Sequence, residues 1–163
     1  MIKTLEQLEN EYWDPPEFES HLTMTCHRLR QKPIDTFTVE DLRIMIGQNI
    51  GVTYLLPRAL GVLRADPVAR GDFYEGDLLN SVIHSDLIRG SEDKELLFEL
   101  AQMCHVAIEL ECSAASDTYL ADYTAEDLGL TPEIAKQLRQ DAISNVLATQ
   151  PLVDFKAFYE EHG

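Results

Sequence analysis

The sequence has no long apolar run, few cysteines and few basic residues. No stretch approaches the roughly 18 apolar residues that a membrane span requires, and residues 1–20 alternate charge where a signal peptide would need an apolar segment. Three cysteines, an odd number without CxxC spacing, are not the pattern of a disulfide framework. We therefore expect a cytoplasmic protein with buried thiols and no membrane partner.

Lys and Arg together number 13 against 29 Asp and Glu, which gives a formal net charge of −16 and a pI near 4.5. A polyanion such as nucleic acid is therefore a poor partner, whereas a basic protein would be attracted and its association accelerated. At 163 residues and 45% hydrophobic composition, the chain is long enough for one self-sufficient core. We expect a single domain over 1–163.

Helix signals dominate the chain. Thr38 and Asp41 have the spacing of a capping box, TAEDL from Thr124 repeats that pattern, and Thr131 precedes a proline at the first helical position. Strand signals are thin, because β-branched residues are scattered inside helical patterns and no Asn-Gly or Asp-Gly turn occurs. The sequence predicts an all-α fold of about seven helices, with a long ordered loop over 66–76.

The predicted helices fall at 19–30, from 38 onward, 54–65, 77–89, 91–112, 132–148 and 151–161. Asp77 and Ser91 are expected to be N-caps of their helices. The prolines at 15 and 16 predict an extended acidic segment over 1–18, packed on the domain. An apolar series at Leu22, Cys26 and Leu29 has the helical spacing that predicts the first helix. The residues assigned to the core are Leu42, Ile46, Leu56, Leu60, Leu78 and Leu79, and those assigned to turns are Gly47, Gly51 and Gly76.

Neither a catalytic nor a metal site emerges from the motifs. The dipeptides Cys26-His27 and Cys104-His105 contain zinc-binding residue types, but adjacent helical residues diverge by roughly 100° and cannot easily share one ion. Glu95 and Glu99 lie one turn apart, a spacing that solvated helix faces also show. We expect no catalytic residue, no metal and no cofactor. A small helical metal-binding protein or enzyme using the Cys and His residues is the alternative.

The negative charge is concentrated in one region. Residues 71–127 carry fourteen acidic and two basic residues, whereas residues 21–70 carry a net positive charge. Aromatic residues lie among these acids, and those that we single out are Phe73, Tyr74, Tyr119 and Tyr123. Aromatic anchors ringed by charge are typical of protein interfaces, although each could equally belong to the core.

Three stretches carry a family resemblance: CHRLRQKP at 26–33, TVEDLRIMIGQNIGVTYLLPRAL at 38–60 and DPVARGDFYEGDLLNSVI at 66–83. Together they span about a third of the chain. As a set they resemble the all-helical immunity proteins of bacterial contact-dependent growth inhibition (CDI) systems. The resemblance implies a small cytoplasmic protein that binds and blocks the C-terminal domain of one cognate toxin. It further implies that this domain is basic and a nuclease, with a ribonuclease favoured.

The resemblance and the charge pattern together predict a toxin-binding surface. An acidic helical face can occupy a basic nuclease cleft and exclude its substrate without any chemistry by the inhibitor. On the 91–112 helix, the acidic side is expected to be opposite the core side. The residues predicted to bind the toxin are Asp72, Tyr74, Glu75, Asp86, Glu92, Glu95 and Glu99.

Overall fold

The computed structural model describes residues 3–16, 20–118 and 130–163. Within these ranges the chain forms nine α-helices and no strand, so the predicted all-α fold is confirmed. The helices are α1 (Leu5–Glu9), α2 (His21–Arg30), α3 (Val39–Gly47), α4 (Val52–Ala65), α5 (Asp77–His84), α6 (Asp86–Arg89), α7 (Lys94–Thr118), α8 (Pro132–Leu147) and α9 (Leu152–His162). The short helices α1 and α6 account for the excess over the predicted number.

Two helix starts follow the predicted local chemistry. The backbone N–H of Thr38 donates to Asp41 Oδ2 at 2.8 Å, and the N–H of Asp41 donates to Thr38 Oγ1 at 3.2 Å, which completes the capping box of α3. Thr131 caps α8 through its hydroxyl, and Pro132 is the first helical residue. The capping box predicted at Thr124 lies outside the described residues.

Two predicted caps are wrong. Gly76, in the left-handed region at φ 82°, precedes α5, so Asp77 is the first helical residue and its carboxylate binds the loop before it. Ser91 accepts a hydrogen bond from the N–H of Asp93 at 3.2 Å, but α7 begins only at Lys94. That helix also runs to Thr118, beyond the predicted end at Cys112.

The N-terminal segment is not extended throughout. Residues Leu5–Glu9 form α1 because Thr4 and Gln7 make a capping box, a signal that the prediction of an extended segment over 1–18 did not use. Beyond it, Trp13 stacks on the guanidinium of Arg30, 4.1 Å from the ring centroid. Arg30 also donates to the carbonyl oxygen of Glu11 at 2.9 Å. These contacts hold the segment on α2.

The chain divides into two compact units, residues Met1–Lys94 and Glu95–Gly163; the single domain over 1–163 stays a prediction. In the first unit α3 packs chiefly on α5, and also on α4 and α2. The predicted core residues Leu42, Ile46, Leu56, Leu60, Leu78 and Leu79 are all buried. Leu22, which belongs to the apolar series of the first predicted helix, is exposed on the first turn of α2.

The second unit contains nearly all of α7 together with α8 and α9. Its buried apolar residues are Leu100, Ala101, Met103, Cys104, Ala107, Ala135, Leu152 and Phe155. Helices α8 and α9 contact each other, and Tyr159 of α9 stacks on His105 of α7 with ring centroids 4.8 Å apart. These contacts define the second unit.

Candidate functional site

The most exposed part of the long loop between α4 and α5 is residues 71–75, which we call the acidic loop. Its backbone is held by carboxylates from two helices. The N–H groups of Gly71 and Phe73 donate to the two oxygens of Asp77 at 2.7 and 3.1 Å. The N–H of Asp72 donates to Glu40 Oε2 at 2.9 Å. Three consecutive backbone donors are therefore bonded to charged acceptors, which fixes the path of the loop.

Arg43 connects the two carboxylates to the loop. Its guanidinium donates twice to Glu40, at 2.7 Å each, and lies 3.8 Å from Asp77 Oδ2. The same guanidinium stacks on Phe73 at 4.4 Å from the ring centroid. The hydrogen bond from Arg43 lowers the pKa of Glu40 against the opposing effect of burial, and the pair raises the pKa of Arg43. The lowered pKa of Glu40 and the raised pKa of Arg43 keep this pair charged at neutral pH.

Close approach makes glycine necessary at the start of the acidic loop. A Cβ at Gly71 would lie 2.3 Å from Glu40 Oε2 and 3.0 Å from Asp77 Oδ2. Any larger residue would push apart the carboxylates that bind the backbone. The glycine that begins the sequence GDFYEGD at 71–77 therefore has a local physical reason, because it allows a short loop to lie directly on two acidic side chains.

The side chains of the acidic loop point to solvent. Asp72, Phe73, Tyr74 and Glu75 are all exposed, Phe73 to 65% and Tyr74 to 38%. The hydroxyl of Tyr74 accepts a hydrogen bond from Asn80 Nδ2 at 2.9 Å. Three of the predicted toxin-binding residues are thus neighbours on one fixed loop.

The other predicted toxin-binding residues lie elsewhere. Asp86, in the first turn of α6, and Glu92, between α6 and α7, are exposed in the first unit. Glu95 and Glu99 belong to the second unit, where Glu95 is exposed and Glu99 half-buried. Tyr119 and Tyr123 lie outside the described residues.

A groove of about 380 Å³ opens beside the acidic loop, between α3 and α5. It is lined by Arg43, Gly47, Gln48, Phe73, Tyr74, Asp77, Asn80, Ser81 and His84. The prediction from sequence missed Asn80 and His84. The pattern that could have identified them is a pair of polar residues four positions apart on a helix whose leucines are buried. We call this feature the α3–α5 groove.

Comparison with known proteins assigns the family. The family model of CDI immunity proteins matches residues 7–100, more than half of the chain. The chain belongs to the CDI immunity protein family. The match contains the acidic loop and the α3–α5 groove, so both features lie in the part of the chain shared with this family. No curated protein and no solved structure matches the chain.

Two of the three cysteines of this CDI immunity family member are buried as predicted, whereas Cys112 is only half-buried. Cys26 and Cys104 are buried, and burial raises the pKa of Cys104 to about 12. Their neighbours have other contacts, since His27 Nε2 lies 3.3 Å from the carbonyl oxygen of Trp13 and His105 stacks on Tyr159. Over the described ranges, His, Cys, Asp and Glu form no group of three or more that could hold a metal ion.

Helix α7 differs from its predicted pattern. Leu100 and Cys104 lie on its buried side, but the outer side is not purely acidic. Phe98, Val106 and Leu110 are exposed on this side, at spacings of eight and four residues.

In the part of the chain that the structure describes, no helix combines the length and apolar character needed to cross a bilayer.

Proposed function

We propose that this chain neutralises the toxin of its own CDI system by binding the toxin's C-terminal domain, with the acidic loop at the centre of the contact. The observation that carries the proposal is the exposure of four consecutive residues, two acidic and two aromatic, on a loop fixed through its own backbone. Exposed aromatic residues supply contact area at interfaces. A loop that is already ordered loses less conformational entropy when it binds.

The toxin domain in this proposal is a basic nuclease, with a ribonuclease favoured, and the encounter takes place in the cytoplasm. A nuclease must attract phosphate, so its cleft carries positive charge. The acidic loop then occupies the cleft, and Asp86, Glu92, Glu95 and Glu99 are the further residues proposed to bind the toxin. Occupancy alone excludes the substrate, so the immunity protein needs no catalytic residue.

The first experiment measures association with the toxin domain encoded by the neighbouring gene. Purified chain and toxin domain are mixed by stopped flow at increasing salt, and inhibition of RNA cleavage is followed in parallel. Because the Debye length falls from about 10 Å at 0.1 M salt to about 3 Å at 1 M, we expect association to slow steeply with salt. Association rates that do not depend on salt would contradict the electrostatic part of the proposal.

The second experiment maps the contact by charge reversal. We expect Asp72→Lys with Glu75→Lys to lower the association rate about tenfold or more, through loss of steering. The variant Glu92→Lys, Glu95→Lys, Glu99→Lys tests three of the four other predicted acidic residues in the same assay.

The matched control for charge reversal is Glu133→Lys with Glu160→Lys, on exposed positions of α8 and α9. It changes the net charge as much as the loop variant does. An equal loss in this control would show that only total charge matters. Full protection by the loop variant would place the toxin contact elsewhere.

A further inference from the structure

The α3–α5 groove has an excess of negative charge. Asp77 lines it, and Asp72 and Glu75 lie on the loop beside it. Among the described residues that line the groove, the one Lys or Arg is Arg43, which pairs with Glu40 of α3. Both hydrogen bonds between Arg43 and Glu40 are short, so these two charges largely cancel. The carboxylates that remain favour a positively charged occupant.

An aromatic face borders the groove. One face of Phe73 lies against Arg43, yet the side chain remains 65% exposed, which leaves much of the ring open to a second group. A ring that already stacks on one guanidinium can accept another planar cation on its open face.

An unused acceptor also lies at the groove. Asn80 donates through Nδ2 to the hydroxyl of Tyr74, while its Oδ1 is buried and has no hydrogen-bond partner among the described residues. A buried carbonyl oxygen without a donor costs free energy, and a ligand N–H that reaches it recovers that cost.

We propose that the α3–α5 groove receives a single arginine side chain of the partner protein. This rests on the proposed function, in which the partner is the toxin domain, and it names the pocket that selects it. Arginine fits all three features, because its guanidinium is cationic, planar and carries five N–H donors. The volume is near the lower end of the roughly 300–1,000 Å³ of small-molecule sites, which suits one long side chain rather than a helix.

The test uses the full chain and no toxin. Isotope-labelled protein is titrated with N-acetyl-arginine methylamide, and backbone and side-chain amide shifts are followed by NMR. We expect saturable shifts centred on Gly47, Gln48, Phe73, Asn80 and Ser81, with a dissociation constant on the order of millimolar. The citrulline analogue, which has nearly the same shape but no charge, should produce no saturable shift.

A variant pair tests the ring. Phe73→Leu should weaken binding of the arginine probe about two- to fivefold, the range expected for a cation–π contact at an exposed site. Phe98→Leu, also at an exposed phenylalanine but in the second unit, should leave it unchanged. Both substitutions are at exposed positions, so folding is preserved.

Several outcomes would overturn the inference: no shift, shifts scattered over other acidic residues, equal binding of the citrulline or a lysine analogue, or no effect of Phe73→Leu. Because the probe is a small molecule, these outcomes leave toxin binding untouched. Conversely, a toxin domain that fails to bind the chain would refute the proposed function even where the groove takes the arginine probe.

Discussion

Asp77→Asn is the sharpest perturbation of the candidate site, because it keeps the shape of the side chain and removes one charged acceptor. Asp77 is 2% exposed and accepts hydrogen bonds from the N–H groups of Gly71 and Phe73. An amide can accept only one of them, and its NH₂ group then faces the other donor and Arg43. The loss of one hydrogen bond to a charged group costs about 1.5–3 kcal/mol.

Two further effects act on this variant in opposite directions. Burying a neutral amide costs less than burying a carboxylate, while Arg43 loses an ionic neighbour but keeps Glu40. We therefore expect a net loss of about 2–3 kcal/mol in the free energy of unfolding, since the lost hydrogen bond is the dominant effect. For a chain of this length that corresponds to a fall of roughly 4–12 °C in melting temperature.

Urea unfolding followed by circular dichroism measures this loss. Asp86→Asn is the matched control, because Asp86 is also in the first turn of a helix but is exposed, and its substitution should cost less than about 0.5 kcal/mol. Asp77→Asn should also slow toxin binding, since the acidic loop is no longer fixed. Equal stability of the two variants would refute the inference that Asp77 holds the loop.

Three further predictions concern stability and thiol reactivity. The pKa of Glu40 is lowered in the folded chain, so its contribution to stability is complete above the unfolded pKa of about 4.3 and is lost as pH falls through the folded pKa. The free energy of unfolding of Glu40→Gln should therefore depend less on pH between 3 and 5 than that of the unsubstituted chain. Gly51→Ala should lower the free energy of unfolding, measured in urea, by about 1–3 kcal/mol, because φ is 62° and the new Cβ would lie 2.6 Å from Leu5. The control Gly61→Ala lies in open space within α4 and should be neutral or stabilising. Cys104 is buried and has a pKa of about 12, so it should react with a thiol reagent at pH 8 only when the chain unfolds. The half-buried Cys112 should react earlier. Early labelling of Cys104 would contradict its placement in the core.

The acidic loop could be found from sequence, and the groove could not. The concentration of acids with Phe73 and Tyr74 predicts an interaction surface at the loop, and the prediction is possible because composition and spacing are local properties. The groove depends on α3 lying against α5, which brings Arg43 and Gln48 next to Asn80 across more than thirty residues of chain. No pattern in the sequence predicts the contact between these two helices.

By itself the sequence determined the helical class, the starts of α3 and α8 and the apolar core of the first unit, since capping boxes and helical periodicity act within a few residues. The tertiary structure alone decided the role of Asp77. Its position before a helical pattern predicts an N-cap. In the structure Gly76, with a positive φ, takes the position before the helix, and the close approach of Gly71 places loop N–H groups within reach of the Asp77 carboxylate. A carboxylate bonds to whichever donors the fold brings within reach, and here those donors come from the loop.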